Sequence, residues 1–307
     1  MVKQDSILDD RCDWWCLASS KIMPSLEDLH YAIRLKDTRK VKLLTSYSSI
    51  RIDSSLRSCT ALSLAVYEGE LMIVKILLDT GRANVDKLSC DSSGRLETPL
   101  FSACRLGRKE IAVLLIEYGA DVNTVDFYMH SPLWISTRER HEDLVQILIK
   151  NGAYLNSVDK YSQCPLYIAT KFNGRVNLAK GLIRHGCKID LTDADGRGAL
   201  YWSFINRQFD IFKMLLDAGA HINHKTKAFL MQTANDDLDE NERIFRNLLI
   251  QRLINCATLY QLARNAVRNR MITVSGGTSI WTSIDQLNVP EKIRKELKLI
   301  EISLHVQ

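Results

Sequence analysis

The sequence predicts an all-α solenoid of stacked helix pairs, about six units plus a degenerate seventh, followed by a small helical domain at the C-terminus. Three observations lead there. Pro99, Pro132 and Pro165 recur 33 residues apart, with Ala199 in the same slot 34 further on and Ala61 in it 38 before Pro99. Behind each comes a short apolar stretch and then an amphipathic one: Ile111, Val113, Leu114, Leu115 and Ile116 return as Leu144, Val145, Ile147, Leu148 and Ile149, and again as Ile211, Phe212, Met214, Leu215 and Leu216. Each amphipathic stretch ends at a glycine, Gly81, Gly119, Gly152, Gly186 or Gly219, where left-handed backbone closes a helix without a side-chain clash. So short a unit cannot bury its own apolar face. It must stack on its neighbours, which leaves an extended surface suited to gripping another protein.

The elements follow in order. Residues 1–23 read as a capping segment in which the Cys12-Asp13-Trp14-Trp15-Cys16 cluster lays its tryptophans on the first unit. The array then spans 24–253. A weak first copy begins near Leu26 and carries Leu29-His30-Tyr31-Ala32. Between the second and third copies lie five extra residues, one at Arg82 and four around Asp91-Ser92-Ser93-Gly94, which predicts one longer hairpin. The best copies run from Thr98-Pro99-Leu100-Phe101 to Gly119-Ala120-Asp121-Val122-Asn123, and from Ser131-Pro132-Leu133-Trp134 to Gly152-Ala153-Tyr154-Leu155-Asn156. Segments such as Asp121 to Asp126 predict projecting hairpins. The tip glycine survives as Gly196 but is Met129 and Ser162 elsewhere, so those tips either carry strain or change turn type. After His221-Ile222-Asn223 the pattern dissolves into the acidic run Asp236 to Glu240 and a helix from about Asn241 to Leu253, a polar cap for the array.

These motifs resemble the ankyrin repeat. Where that family has histidine, this chain has Phe101, Trp134, Tyr167 and Tyr201; the resemblance places the row against the next repeat, which favours packing over ligand contact, although aromatics are preferred hot-spot residues. Phe127, Tyr128 and Tyr161 fall at hairpin tips, where packing gives no reason for large apolar side chains. They are the candidate contacts to a protein substrate, with tip-to-tip packing as the alternative. Leu115 with Asp121-Val122-Asn123 resembles the ankyrin sequence that an asparaginyl hydroxylase modifies, yet Asn123, Asn156 and Asn223 are first of all hairpin-bonding residues.

Composition narrows the function classes. No apolar run approaches the ~18 residues that span a bilayer, and Met1 to Arg11 lacks the apolar core of a secretory signal. The expectation is a cytoplasmic or nuclear protein with no membrane partner. Eight cysteines include no CxxC pair, and no histidines stand at zinc-finger spacing, which predicts reduced packing thiols, Cys104 and Cys164 among them, and no metal site. Net charge is +5, but Arg243 to Lys298 holds ten Lys/Arg against three Asp/Glu, so the remainder sums to minus two. An array without a basic stripe is not expected to bind nucleic acid, and the run Arg34 to Lys42 reads as a solvated helix face. Nothing resembles a phosphate-cradling glycine loop or a Ser/His/Asp or Cys/His grouping, so neither catalysis nor a cofactor is expected.

Beyond the array, Thr258 to Arg268 places Leu259, Leu262, Ala263, Ala266 and Val267 on one helical face, a spacing that suits docking into a groove, with Thr258 as N-cap. After Gly276-Gly277, Ile284, Leu287, Val289, Pro290, Ile293 and Leu297 form a second apolar pattern, with Pro290 suited to a first helical position. Residues 255–304 resemble a SOCS box, and the whole chain resembles the ankyrin-and-SOCS-box family. The resemblance implies a non-catalytic substrate receptor of a ubiquitin ligase. Leu259, Leu262, Ala263, Ala266 and Val267 would bind elongin C, with elongin B alongside, and Leu287, Val289 and Pro290 would select cullin-5 with its RING protein. The chain departs from the family at Ala263, where cysteine is usual, and at Asn288, which stands in the cullin motif. Two other readings stay open: a plain ankyrin scaffold with residues 255 to 307 as a lid, and an F-box-like tail for a Skp1-type adaptor.

Overall fold

The computed structural model describes residues 23–90, 94–172, 176–223, 225, 226 and 228. The chain divides into two compact units, Met1–Asn84 and Val85–Gln307. Expectations for the N-terminal cap, the degenerate seventh unit and the 255–304 segment lie outside the described residues.

Unit one holds two helix pairs, α1 (Leu26–Arg34) with α2 (Thr38–Ser46) and α3 (Ala61–Glu68) with α4 (Leu71–Asp79). Ser25 starts α1 with a reciprocal cap: its hydroxyl accepts the Asp28 N–H while the Asp28 carboxylate accepts the Ser25 N–H. Asp37 and Thr60 cap α2 and α3 in the same spirit. Leu29, Ile33, Val41, Ile73, Val74 and Leu77 are fully buried where α1 packs on α2 and α3, and α4 on α2 and α3. Each such side chain contributes ~1.5–3 kcal/mol relative to exposure. The hairpin β1 (Ser55–Leu56) to β2 (Cys59–Thr60) turns through Arg57 and Ser58 at φ of 51° and 65°. Two consecutive left-handed residues are what a two-residue turn needs to match strand twist. Arg82, one of the extra residues, donates from its guanidinium to the carbonyls of Tyr47 (3.2 Å), Ile50 (3.4 Å) and Thr45. It thereby satisfies acceptors left open as α2 ends.

Unit two repeats the plan four times among the described residues. The first helices are α5 (Pro99–Arg105), α7 (Pro132–Arg138), α9 (Pro165–Lys171) and α11 (Ala199–Ile205); the second are α6 (Lys109–Glu117), α8 (Glu142–Lys150), α10 (Val176–Arg184) and α12 (Phe209–Asp217). First helices pack on first helices and second on second, so two rows of helix share one core. Proline suits the start of α5, α7 and α9 because the N–H it lacks would have no partner there. Thr98, Ser131 and Cys164 cap them, accepting the N–H of Phe101 (3.2 Å), Trp134 (3.1 Å) and Tyr167 (3.4 Å). Cys104 and Cys164 are buried packing thiols, pushed up by that burial to about 12 and about 11, so neither supplies a thiolate near neutral pH.

Hairpins join the repeats. The longer one forms an antiparallel ladder, β3 (Ser89–Cys90) with β4 (Leu96–Glu97). The next three share one turn, closed by hydrogen bonds from Met129 to Asp126, Ser162 to Asp159 and Gly196 to Asp193. Met129, Ser162 and Gly196 hold φ of 64°, 61° and 75°. Strain rather than a change of turn type is therefore the outcome at Met129 and Ser162, since left-handed backbone costs a side-chain-bearing residue ~1–2 kcal/mol.

A second periodic feature locks neighbouring repeats. Asn123 Oδ1 accepts the N–H of Tyr154 (2.8 Å), Asn156 Oδ1 that of Lys188 (2.7 Å) and Asp190 Oδ1 that of His221 (2.8 Å). In unit one Asp53 does the same for Asn84 (3.0 Å). Asn123 also donates from Nδ2 to the Gly152 carbonyl (3.3 Å), so it binds the hairpin of the following repeat. Among the described residues no helix is long and apolar enough to cross a membrane, and no three His, Cys, Asp or Glu side chains form a metal-holding group.

Candidate functional site

The hairpin from Asp126 to His130 leads into α7, and the hairpin from Asp159 to Gln163 leads into α9. Each is shaped by an aspartate at its base. Asp126 Oδ1 accepts the N–H of Tyr128 and of His130, both at 2.8 Å, and Oδ2 lies 2.8 Å from His130 Nδ1. Asp159 Oδ1 accepts the N–H of Tyr161 and of Gln163, again at 2.8 Å. Asp193 repeats the pattern one unit later with Asp195 and Arg197. Burial works against charge on Asp126, but the His130 side-chain and backbone hydrogen bonds, the His130 charge and the Tyr128 N–H outweigh it and hold the carboxyl below its usual range. With both main-chain donors consumed inward, the intervening side chains point out.

Three of those side chains are the ones that the sequence singled out. Phe127 is 72% exposed, Tyr161 60% and Tyr128 42%. Tyr128 and Tyr161 line one cleft, while Phe127 stands beside it with its ring edge-on to Tyr128 at 5.3 Å. Tip-to-tip contact also exists: Lys160 donates its main-chain N–H to the Tyr128 carbonyl (3.1 Å) and sets Nζ 3.4 Å from the Phe127 ring centroid. The contact runs through Lys160 and leaves Phe127 and Tyr161 mostly exposed and Tyr128 rather less than half so.

Beneath the tips lies the aromatic row. Phe101, Trp134 and Tyr167 are 3%, 4% and 1% exposed, in keeping with a packing role, whereas Tyr201 is half-buried. Trp134 Nε1 donates to the Gln163 carbonyl (3.1 Å), and Tyr167 Oη donates to Asp193 Oδ2 (2.8 Å). Trp134 nevertheless has a second part to play. Its ring stacks on His130 at 3.8 Å and joins Tyr128, Tyr161, Arg138 and Phe172 around a cleft of about 490 Å³. Asp159 and Gln163 also line it, but the Asp159 carboxylate is already engaged by its own hairpin. What the cleft offers is ring surface with a guanidinium at its side. That composition holds a partner's side chain by burial and orients it by few polar contacts.

Arg138, His130 and Phe172 were not singled out by the sequence reading. A signal existed: Arg105, Arg138 and Lys171 each close a first helix and stand 33 residues apart. The eight C-terminal candidates, Leu259, Leu262, Ala263, Ala266, Val267, Leu287, Val289 and Pro290, lie outside the described residues.

A family model for ankyrin repeats (3 copies) matches residues 29–126 and again 133–226. The chain belongs to the ankyrin-repeat family. Helix pairs, hairpins and the cleft between two tips are thus parts of an ankyrin array, a protein-interaction scaffold that is generally non-catalytic. No curated protein matches the chain.

Proposed function

We propose that this chain is the substrate-recognition subunit of an elongin B/C and cullin-RING ubiquitin ligase, with its ankyrin surface holding the target. The observation that carries the receptor half is the open aromatic cleft between the Tyr128 and Tyr161 tips, whose rings are only partly taken up by packing. Support for the ligase half comes from sequence alone. Leu259, Leu262, Ala263, Ala266 and Val267 have the sequence spacing of one face of a helix, as elongin C would need, and Leu287, Val289 and Pro290 follow at the place of a cullin-5 motif. The chain would act in the cytoplasm or nucleus. Its contribution to rate is proximity, holding a target lysine near the charged ubiquitin-conjugating enzyme.

Co-purification of the full chain with elongin B/C tests the reading. Leu259→Asp is expected to abolish it while leaving the melting curve of the array unchanged, because a buried leucine contributes ~1.5–3 kcal/mol and an unpaired carboxylate in its pocket costs more. Co-elution of that variant at undiminished affinity would remove Leu259 as the anchor. Absence of elongin from the wild-type preparation would leave an ankyrin scaffold, and capture of a Skp1-type adaptor instead would redirect the chain to another ligase class.

A further inference from the structure

We infer that the cleft, with the cations beside it, takes an acidic linear peptide in which an aromatic or aliphatic side chain is flanked by carboxylates. The inference rests on reading the array as the partner-holding surface and adds the chemistry of that partner.

The argument comes from comparing equivalent positions in successive repeats. Arg105 closes α5, and its guanidinium is answered within the repeat by Glu97 at 2.9 Å, a carboxylate only 2% exposed that also accepts the Ser102 hydroxyl at 2.9 Å. One unit on, Arg138 closes α7, but His130 stands where Glu97 stood. Two units on, Lys171 closes α9 and the position is Gln163. The cation is kept twice and its internal counterion is dropped twice. Each of these two cations borders ring faces and not a hydrogen-bonding carboxylate of its own repeat: the Arg138 guanidinium lies 5.7 Å from the Trp134 centroid, and Lys171 Nζ lies 5.2 Å from Trp202, 5.3 Å from Tyr167 and 5.4 Å from Phe172. A ring face draws a cation but accepts few of its N–H donors, so hydrogen-bonding capacity is left over. Arg138 approaches Glu139 only to 3.9 Å, too far for a hydrogen bond.

The carboxylates nearest the cleft do not compensate. Asp126 and Asp159 are turned inward onto hairpin N–H groups, and Lys160 adds a further cation above Phe127. Aromatic walls therefore meet a positive margin, and the complement is an apolar side chain between acidic ones. The spacing fits an extended segment. Helices packed side by side stand ~8–10 Å apart, and an extended chain advances ~3.3 Å per residue, so carboxylates three residues apart reach both Arg138 and Lys171. Nucleic acid is the less favoured guest, because the chain outside Arg243 to Lys298 sums to minus two and offers no long track of cations for a phosphate backbone.

A random peptide library displayed on phage and selected on the immobilised full-length chain tests this, with labelled oligo-uridine as a second probe. The expected result is enrichment of Asp and Glu around one aromatic or aliphatic residue, and binding of a synthetic winner that weakens with salt. Arg138→Gln with Lys171→Gln should lower that affinity about tenfold or more, Arg138→Lys with Lys171→Arg should retain most of it, and Lys40→Gln in unit one should not change it. Matched melting curves establish that the variants are folded; should the double Gln variant fail there, each single variant is scored instead. Enrichment without acidic residues, no enrichment, preference for oligo-uridine, or undiminished binding by the folded variants would overturn the inference. Elongin co-purification is scored on the same preparations. Lost peptide selection with elongin retained removes only this inference, and the reverse removes only the ligase reading.

Discussion

Met129 and Ser162 occupy left-handed backbone at hairpin tips where Gly196 does the same without a side chain to strain. Met129→Gly is expected to stabilise unit two by about 0.5–1 kcal/mol, the relief of ~1–2 kcal/mol of strain less the ~0.5–1 kcal/mol by which glycine favours the unfolded chain. Urea unfolding measures it, and a loss of stability would mean that the half-exposed Met129 side chain packs usefully after all. Two other strained residues have visible compensation. Lys36 and Arg140 hold φ of 58° and 65° at the turn within a helix pair, where Gly107 holds 71°. Lys36 reaches Glu70 at 2.8 Å, and Arg140 donates to the Phe172 carbonyl at 2.6 Å. Met129 adjoins Tyr128 at the cleft, a place where strain that survives selection points to use.

Hairpins are the elements that tie one repeat to the next, and Asn123 shows how. Asn123→Ala removes an acceptor for the Tyr154 N–H and a donor to Gly152. A cost of about 1–2 kcal/mol is expected in the unfolding free energy, concentrated in faster amide exchange at Tyr154. An unchanged exchange rate there would remove the clasp. Helices were the legible part of the fold, because the recurrence of Pro99, Pro132 and Pro165 and the apolar stripes behind them are local signals. Thr98 and Ser131 were legible as the start of a repeating tetrad, but their role as caps, and that of Cys164, came only with the structure. The exposed tips Phe127, Tyr128 and Tyr161 stood out because apolar side chains in a turn have no packing motive. Long-range contacts were not legible: Arg82 looked like an inserted residue until its guanidinium met the end of α2, and Arg138 looked like any solvated helix end. Only placing Glu97, His130 and Gln163 in one column, against Arg105, Arg138 and Lys171 in another, turns that arginine into a feature.

At the scale of the molecule, acid acts on two sets of groups in two windows. His30 is buried in unit one with Nε2 unbonded, and burial, then the Arg34 charge, push its pKa down to about 4. An unfolded chain protonates histidine near ~6.5. Between those values the unfolded state binds more protons, so stability falls as pH drops from about 6.5 to 4. Asp126 and Asp193 have folded values below the usual range despite burial, owing to the hydrogen bonds they accept, so their contribution is intact above ~3.9 and fades only as pH falls further. His30→Leu is expected to flatten the pH dependence of the unfolding free energy in the upper window. His185, lowered by burial and by Arg184 and Lys150, keeps a share of the slope. An identical slope in the variant would show that His30 is not held neutral. The placement of Arg138 and Lys171 carries one more consequence. Both ride on successive first helices rather than on hairpins, so the interval between them is set by helix stacking, like marks on a stiff ruler. Point changes can retune what each mark accepts, whereas the interval itself alters only when a whole unit is gained or lost.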